Sequence, residues 1–406
     1  MFNHSSRTFQ TFLAFVLAAL IAGAAIAQDD GKKPKLNSES KQAREYALSM
    51  LDEMEDILRK HYYDQTFHGI DLKKRIQTAK DRVKTLEYNW QMYRVLVQVL
   101  LEFDDSHTSM ILPPRTDHFQ YGLGYQMIGN DCFVTYVKKD SDAKAQGIER
   151  GDQILKIGKF KPTRNDLWKI NYVIYKLDPA KTLDLVLKKP DGQEQTLTIK
   201  AKTMTEKEFR AERKADRERE KKEKTSKEDD PNRPFRCREI NKELVACRLE
   251  SFSVDKGEID KLMDRVRAYP KLILDLRGNG GGYVVIEEYL LSHFFEKSVK
   301  IADVRRKDKT EVRMTKVLST DKRYSGEISV LIDSNSASAS EMTARVLQLE
   351  KRGKVYGDFS SGSVMTSITL PFENIVSVFA DLAIIKVGMS VTVADVIMSD
   401  GSRLEH

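Results

Sequence analysis

The stretch "ISVLIDSNSASASEMTARVL", residues 328–347, joins an apolar run to a cluster of small and hydroxyl residues and then to helical spacing. The apolar run 328–332 predicts a strand that is buried on both faces. Residues 336–340 then lie where a helix is predicted to begin. Such a turn can be a plain N-cap, because Ser is a favoured cap residue. It can equally be a nucleophile elbow, since a helix N-terminus offers free amides and a positive dipole end to an oxyanion.

The first 27 residues predict a signal peptide. Arg7 precedes the apolar run 12–21, and small residues follow up to Ala27. The apolar run is short for a membrane span, so we expect no stable membrane insertion after cleavage. The mature protein is therefore expected to be secreted or periplasmic, and the polar residues 28–37 are predicted to be disordered.

The formal net charge of +7 arises from 68 basic and 61 acidic residues spread along the chain. No basic face interleaved with aromatic residues is evident, which argues against a nucleic-acid partner. The composition leaves the oligomeric state open.

Four further segments differ in their patterns. Residues 38–116 show helical spacing of apolar side chains and predict a helical N-terminal region that carries Ser106 and His107. Residues 117–202 contain short strands such as "FVTYV" and "QILKI" and predict a small β-rich module. Residues 203–236 are nearly all polar or charged and predict a solvated helix or a flexible linker.

Residues 237–406 alternate strands with helices. The strands are "KLILDL", "ISVLID" and "KVYGD", and the helices begin at about Tyr283 and Ser338. This alternation predicts an α/β layer architecture with crossover connections. The whole chain is thus expected to be a multidomain α+β protein.

Three cysteines are present. Cys237 and Cys247 could form a disulfide across a hairpin in an oxidising compartment, and two free buried thiols are an equal alternative. Cys132 lies in an apolar run and is predicted to be a core residue.

The stretch "LILDLRGNGGGY", residues 272–283, is a predicted buried strand that runs into a glycine-rich turn. Free amides in such a turn could bind an oxyanion, and a purely structural tight turn is the alternative. Phosphate binding is not supported, because the G-x-G-x-x-G spacing is absent and no Lys-Ser/Thr pair follows.

The stretch "LEFDDSHTSMILPP", residues 101–114, places Ser106 and His107 in a loop after a helix. A lone histidine is more often structural than catalytic. Asp104 and Asp105 raise the possibility of a metal site, but no second histidine at helical spacing supports it. We therefore predict no metal and no cofactor.

Taken together, "DLRGNGGG", "SNSASASE" and "DDSHT" resemble the carboxyl-terminal processing protease superfamily of serine peptidases. The resemblance covers residues from about 40 to 406 and implies a crotonase-like ββα protease core over 237–406. It also implies that residues 117–202 are a PDZ-like domain, because "AKAQGIERGDQILKIG" fits the PDZ pattern. Its peptide-binding loop would be "GLGY", which comprises Gly122, Leu123, Gly124 and Tyr125.

The same resemblance assigns catalytic roles. The nucleophile would be Ser338, with Ser336 and Ser340 structural, and the oxyanion hole would come from the amides of Ala339 and of Gly281 or Gly282. The Ser-Lys branch of the superfamily has a lysine at the position that Ser363 occupies here. A Ser-Lys mechanism is therefore not expected.

The tricorn-like branch uses Ser, His, a second Ser and Glu, and it matches better. Ser106, His107 and Glu405 are the implied partners of the nucleophile. The chain ends one residue after Glu405, without the "GVxPD" segment of that branch. Either the core is expected to extend past His406, or "LEH" is a tag remnant and Glu405 has no role.

These features predict an exported serine endopeptidase whose substrates are proteins or peptides with free carboxyl termini. A serine hydroxyl needs a base to take its proton, and histidine suits that task at neutral pH. Two alternatives remain open: an inactive PDZ-containing scaffold, which the missing lysine favours, and a crotonase-type acyl-transfer enzyme, for which no coenzyme site is recognisable.

Overall fold

The computed structural model describes residues 38–223, 234–373 and 387–405. The predicted signal peptide and the polar segment 28–37 lie outside these residues. Within the described ranges, no helix has the length and the apolar character needed to cross a bilayer.

The N-terminal region is a three-helix layer. Its helices are α1 (Ser38–His61), α2 (Leu72–Lys84) and α3 (Asn89–Leu101). Leu51, Met54 and Leu58 form the buried face of α1. The region ends in a strand, β1 (Ser109–Ile111), which was not predicted and which pairs with the last strand of the chain. The segment that follows His107 is thereby attached to the C-terminal half.

Residues 117–202 form the predicted β-rich module. Its strands are β2 (Asp117–Gln120), β3 (Leu123–Ile128), β4 (Asp131–Val137), β5 (Gln153–Ile157), β6 (Thr182–Lys188) and β7 (Glu194–Lys200). Strands β3 to β7 make one antiparallel sheet in sequence order, so β3 lies at its edge. Helices α4 (Asp142–Ala145) and α5 (Leu167–Tyr172) belong to this module.

Two elements lie in the described part of the charged segment 203–236, before a strand that begins at Phe235. Strand β8 (Lys202–Thr205) pairs with β2, and helix α6 (Glu206–Glu223) follows it. The ring of Phe209 stacks on His118 with the centroids 4.3 Å apart, which fixes the start of α6 on β2. Of the two alternatives for this segment, the helix is therefore found over Glu206–Glu223.

The C-terminal half is an α/β structure with two sheets. Its elements are β9 (Phe235–Asn241), β10 (Leu244–Leu249), α7 (Lys256–Val266), β11 (Lys271–Asp275), α8 (Val284–Ser292), β12 (Lys300–Arg306), β13 (Thr310–Met314), β14 (Glu327–Ile332), α9 (Ala339–Leu349), β15 (Gly353–Gly357), β16 (Thr366–Pro371) and β17 (Gly388–Met398). The predicted strands and the two predicted helices are confirmed.

The first sheet has the order β15-β14-β11-β10-β9, in which β10, β11, β14 and β15 run parallel. The carboxyl ends of neighbouring parallel strands meet at one edge of a sheet. Because Asp275 of β11 pairs with Leu331 of β14, the glycine turn after β11 lies beside the serine turn after β14.

The second sheet has the order β1-β17-β12-β13, with β16 also paired to β17. It brings the loop that contains His107 next to the end of the chain. The two cysteines of the β9–β10 hairpin face each other and form a disulfide with an S–S distance of 2.06 Å, while Cys132 is buried as predicted.

Candidate active site

Ser338 occupies a strained position at the start of α9. Its backbone dihedrals are φ 54° and ψ −118°, which a residue with a side chain rarely adopts. Its backbone N–H donates to Ser363 O at 2.8 Å and to Glu341 Oε2 at 2.8 Å. Strain of this kind persists only where surrounding contacts impose it, and the nucleophile of many hydrolases sits on such a strand-to-helix turn.

The flanking serines hold this turn in place. The buried Ser336 Oγ donates to Leu276 O at 2.8 Å, and the buried Ser340 Oγ donates to Asn279 O at 2.9 Å. The predicted structural roles of both serines are confirmed.

Asn279 was not singled out from the sequence, although it connects the glycine turn to the serine turn. Its carbonyl also accepts from Ala337 N at 3.0 Å, and its side chain donates to Leu249 O at 2.9 Å. Asn279 is fully buried, so it acts as an internal clamp between the two turns.

The glycine turn approaches Ser338 closely. A Cβ on Gly281, which has φ +90°, would lie 2.7 Å from Ser338 Cβ, so only glycine fits there. The Gly281 N–H, however, donates to Asn279 Oδ1 at 2.9 Å. The expectation that Gly281 supplies an oxyanion-hole amide is therefore wrong in this structure, because its proton already has an acceptor.

The other two expected amides differ from Gly281. The N–H groups of Gly282 and Ala339 donate to no acceptor within the described part of the chain. A Cβ on Gly282 would lie 2.4 Å from the Ser253 nitrogen, so this position also requires glycine. Gly282 and Ala339 thus remain the candidate oxyanion donors.

Ser106, His107 and Glu405 form a hydrogen-bonded chain. Ser106 Oγ donates to Glu405 Oε1 at 2.7 Å and lies 2.8 Å from His107 Nδ1. An ionised carboxylate only accepts, so the single hydroxyl proton points at Glu405 and the oxygen accepts from His107 Nδ1–H. This arrangement fixes the tautomer, and His107 Nε2, which has no hydrogen-bond partner among the described residues, can accept a proton.

Glu405 also reaches the loop beside Ser338. Its Oε2 accepts from Val364 N at 2.8 Å, and the preceding residue, Ser363, accepts the N–H of Ser338. A continuous path of hydrogen bonds and one peptide unit therefore joins Ser338 to His107. The path connects distant parts of the sequence, since Ser106 and Glu405 are 299 positions apart.

The buried Asp105 accepts hydrogen bonds that hold the loop containing His107 in place. Its Oδ1 accepts from His107 N at 2.9 Å and from Thr392 Oγ1 at 2.8 Å, and its Oδ2 accepts from Thr108 Oγ1 at 3.0 Å. Ligand atoms of Asp105, His107 and Glu405 lie within 4.8 Å of one another, as in some metal sites. Because the Asp105 oxygens already accept protein donors, the arrangement suits hydrogen bonding better than cation binding.

Glu341 is a buried carboxylate that sequence reasoning missed. Besides Ser338 N, it accepts from Gly362 N at 2.7 Å and Ser363 N at 3.0 Å. Burial raises the pKa of Glu341, and these backbone donors act in the opposite direction. The Glu three positions after a serine is a capping-box signal that could have revealed this contact.

The β-rich module contacts the serine turn and two neighbouring loops directly. Ser334 Oγ donates to Met127 O on β3 at 2.7 Å, and Arg164 Nη1 donates to Phe359 O at 3.1 Å. The buried Lys169 of α5 forms an ion pair with Asp104 in the His107 loop. None of these contacts was predicted, because each joins residues that are far apart in sequence.

The four residues of the predicted peptide-binding loop begin the edge strand of the module. Gly122 precedes β3, where its Cβ would lie 2.2 Å from Ser141 Cβ, and Leu123, Gly124 and Tyr125 open the strand. Tyr125 Oη donates to Asn171 Oδ1 of α5 at 2.7 Å, so this side chain spans the space between β3 and α5.

A second buried carboxylate, Glu287, lies one turn into α8, the helix that follows Gly282. Its Oε2 accepts from Arg313 Nη2 at 2.8 Å, and Arg313 Nε donates to Glu288 at 2.8 Å. Burial raises the pKa of Glu287 from 4.5 to about 7, although Arg313 opposes the shift.

The raised pKa of Glu287 makes a pH-dependent contribution to stability. The folded protein holds this proton more tightly than the unfolded chain, so the contribution is complete below pH 4.5 and is lost as pH rises through about 7. The shift of two to three pKa units corresponds to about 3 kcal/mol of the free energy of unfolding. We expect Glu287→Gln to remove this pH-dependent part, as measured by urea unfolding at about pH 5 and about pH 8.

Glu194→Gln is the control, because Glu194 is exposed on β7 in the other half of the chain and its substitution should leave the pH dependence intact. The same change in unfolding free energy between the two pH values for wild type and Glu287→Gln would contradict the assignment.

This chain is similar to known proteins both in sequence and in fold. Residues 244–406 match the model of peptidase family S41. This S41 segment contains the glycine turn, the serine turn and Glu405. The match supports a serine-type peptidase, whereas His107 and the β-rich module lie outside the matched residues.

Sequence relatives of this chain include the carboxy-terminal processing protease CtpB of Bacillus subtilis (strain 168), which is 33% identical over 101 residues. A probable CtpA-like serine protease of Staphylococcus haemolyticus (strain JCSC1435) is 28% identical over 103 residues. These matches cover 24% and 25% of this chain and 21% of each relative, about a fifth of their length.

Solved structures extend the likeness to most of the chain. The crystal structure of mature CPAF superposes on this chain with a TM-score of 0.64 and 14% sequence identity. The match covers 90% of this chain and 91% of the CPAF chain. The photosystem II D1 C-terminal processing protease has a TM-score of 0.53 with 17% identity, over 88% of this chain and 90% of that one. At these identities the likeness concerns the fold alone.

Proposed function

We propose that this protein is an exported serine endopeptidase that captures substrate carboxyl-terminal tails and cuts peptide bonds through an acyl-enzyme. The observation that carries the proposal is the hydrogen-bonded path from the strained Ser338 to His107 through Glu405 and Ser106. The path ties the backbone that carries the Ser338 hydroxyl to an oriented base and its acid partner. The predicted signal peptide supports export to the periplasm or the exterior.

The chemistry follows from the roles of these groups. Ser338 Oγ attacks the peptide carbonyl while His107 Nε2 accepts the hydroxyl proton. The N–H groups of Gly282 and Ala339 stabilise the negative oxygen of the tetrahedral intermediate. The intermediate collapses as the C–N bond breaks and the imidazolium gives its proton to the leaving amine. Water, deprotonated by His107, then hydrolyses the ester and restores Ser338.

Ser106 and Glu405 act on the histidine. Once His107 is protonated, Nδ1–H donates to Ser106 Oγ, which passes the stabilisation on to the Glu405 carboxylate. A carboxylate that is reached through a hydroxyl performs the orienting role of the third member of a triad. Neither a metal nor a cofactor is needed for these steps.

Tail capture is assigned to residues 117–202 as a PDZ-like domain. An extended peptide can add a strand to the free edge of β3, with its carboxylate at the amides of the Gly122–Tyr125 loop. Near the end of β3, the Met127 carbonyl accepts from Ser334 Oγ in the serine turn, so a bound tail would lead toward Ser338. The position of β3 at the sheet edge supports this role.

The tail carboxylate provides the test. We expect the wild-type protein to cut an unfolded substrate with a free apolar carboxyl terminus about tenfold faster than the same substrate with an amidated terminus. Hydrogen bonds to a charged group contribute about 1.5–3 kcal/mol, which corresponds to at least that factor. Initial cleavage rates at low substrate concentration give the ratio.

Ser338→Ala serves as the binding control, because it should bind the two tails with the same preference and cut neither. Equal cleavage of the free and the amidated substrate would contradict tail capture, and the protein would still be a peptidase. Tail binding by the wild-type protein without any cleavage would favour the inactive scaffold, the alternative motivated by Ser363 in place of a lysine.

A further inference from the structure

Asp105 is a buried carboxylate that is held by uncharged groups. It is 1% exposed, and the donors to its oxygens are the His107 N–H and the hydroxyls of Thr108 and Thr392. Among the described residues no lysine or arginine forms an ion pair with it. A charge that is taken out of water is costly unless another charge compensates it. The charge of Asp105 is therefore available to act on a group that becomes positive.

The imidazole of His107 lies close to this charge. Ligand atoms of Asp105, His107 and Glu405 are all within 4.8 Å of one another. Glu405 reaches the ring through the Ser106 hydroxyl, whereas no hydrogen bond among the described residues joins Asp105 to the ring. Asp105 therefore acts on the ring through space, and a Coulomb interaction at this distance is strong where solvent screens it little.

We propose that the fixed charge of Asp105 stabilises the imidazolium form of His107, so that two carboxylates act on the base. The inference rests on the proposed function, in which His107 gains a positive charge as Ser338 attacks and loses it to the leaving amine. Because the Asp105 oxygens already accept their donors, the charge is held in place before the reaction begins. Asp105 is thus a positioning residue that works through His107.

The other ionisable groups near the cluster are neutral, paired or closer to a second histidine. They are Tyr62, Tyr63, Asp64 and His68 after α1, the Asp104–Lys169 pair, and Asp395 of β17, which pairs with Arg403. Burial raises the pKa of Tyr62 and of Tyr63, and Asp105 adds to both shifts, so both phenols stay neutral where histidine titrates. Asp64 Oδ2 lies 3.8 Å from His68 Nε2, so its charge acts first on that ring.

NMR of ¹³C-labelled histidine tests the proposal without relying on cleavage. The measurement uses the full chain with Ser338→Ala, and the His107 signal is assigned by its absence from His107→Ala. On this background Asp105→Asn should lower the midpoint of the His107 titration by about one to two pH units, because loss of an opposite charge about 4–6 Å away destabilises the charged ring. His68 gives a separate signal, so the two rings are distinguished.

Two control variants separate the charge from other effects. Asp264→Asn removes a carboxylate that is 70% exposed on α7, where solvent screens it, and should leave the midpoint unchanged. Thr108→Val removes a donor to Asp105 and keeps the charge, so the midpoint should not fall. If thermal unfolding shows that Asp105→Asn is not folded, Glu405→Gln decides. With Asp105 still in place, His107 in that variant should titrate above the ordinary histidine value of about 6.5.

Cleavage rates provide a second measurement. With Ser338 present, Asp105→Asn should lower the plateau of kcat/KM by about tenfold and move the acidic limb of the pH profile down by the same interval as the NMR midpoint. A purely structural role would lower the rate and leave the limb in place. An unchanged midpoint, an equal fall in Thr108→Val, or a Glu405→Gln midpoint below the ordinary value would overturn the proposal. A shifted midpoint without cleavage by the wild type would support the role of the Asp105 charge and contradict the peptidase.

Discussion

Ser338→Ala is expected to lower kcat/KM for an unfolded protein substrate by about 10⁴-fold or more, to the limit of detection. The substitution removes the attacking oxygen and leaves the substrate-binding surfaces unchanged. Alanine also fits the turn, because the contacts that impose its strained backbone come from the Ser338 N–H to Ser363 O and Glu341. The loss should therefore appear in kcat, with the thermal unfolding temperature little changed.

Covalent labelling with a serine-reactive phosphonate, detected by mass spectrometry, tests the same prediction independently. It should add one adduct mass to the wild type and none to Ser338→Ala. Ser319→Ala, at an exposed serine outside the turn, is the control and should keep both cleavage and labelling. Cleavage that persists in Ser338→Ala would remove this residue from the mechanism.

His107→Ala is expected to cause a loss of similar size, because without a base the hydroxyl of Ser338 remains a weak nucleophile. Groups that act as one unit are not additive, so the double variant with Ser338→Ala should be no slower than either single variant. His118→Ala is the matched control, since His118 pairs with Glu206 and stacks on Phe209 away from the site. Steady-state cleavage rates across a pH series provide the measurement.

The partners of His107 should show graded effects. Ser106→Ala and Glu405→Gln leave the imidazole in place and remove its orientation, so their rates should lie between those of the wild type and His107→Ala. If His107→Ala cuts normally while Ser338→Ala does not, another group is the base. Lys169, which is buried and paired with Asp104, would be the next residue to substitute.

Local pattern predicted the individual elements of the protease half. The apolar run 328–332, the helix after Ser338 and the strand before the glycine turn are all visible in the sequence, because burial and backbone propensity act over a few residues. The family resemblance implied structural roles for Ser336 and Ser340, but their acceptors lie 60 and 61 positions away and do not follow from local pattern.

Two choices that the sequence left open depend on pairing between strands. Cys237 and Cys247 form a disulfide because β9 and β10 place them directly opposite each other. Glu405 could have been without a role, and the structure places its carboxylate between Ser106 and Val364. Neither the pairing register nor the position of a chain end follows from local composition.

The sequence by itself determined which residues could do chemistry here: a serine at a helix start, a glycine-rich turn, and a histidine beside a serine. Only the tertiary structure decided which of their atoms are available. In the folded chain the Gly281 N–H donates to Asn279 Oδ1, whereas the N–H groups of Gly282 and Ala339 have no acceptor among the described residues. The fold also brings Ser106 into hydrogen-bond contact with Glu405, 299 positions away. The physical reason is that hydrogen bonds are fixed by distance and direction in the folded chain, and the parallel strands β11 and β14 and the pairing of β1 with β17 set those distances.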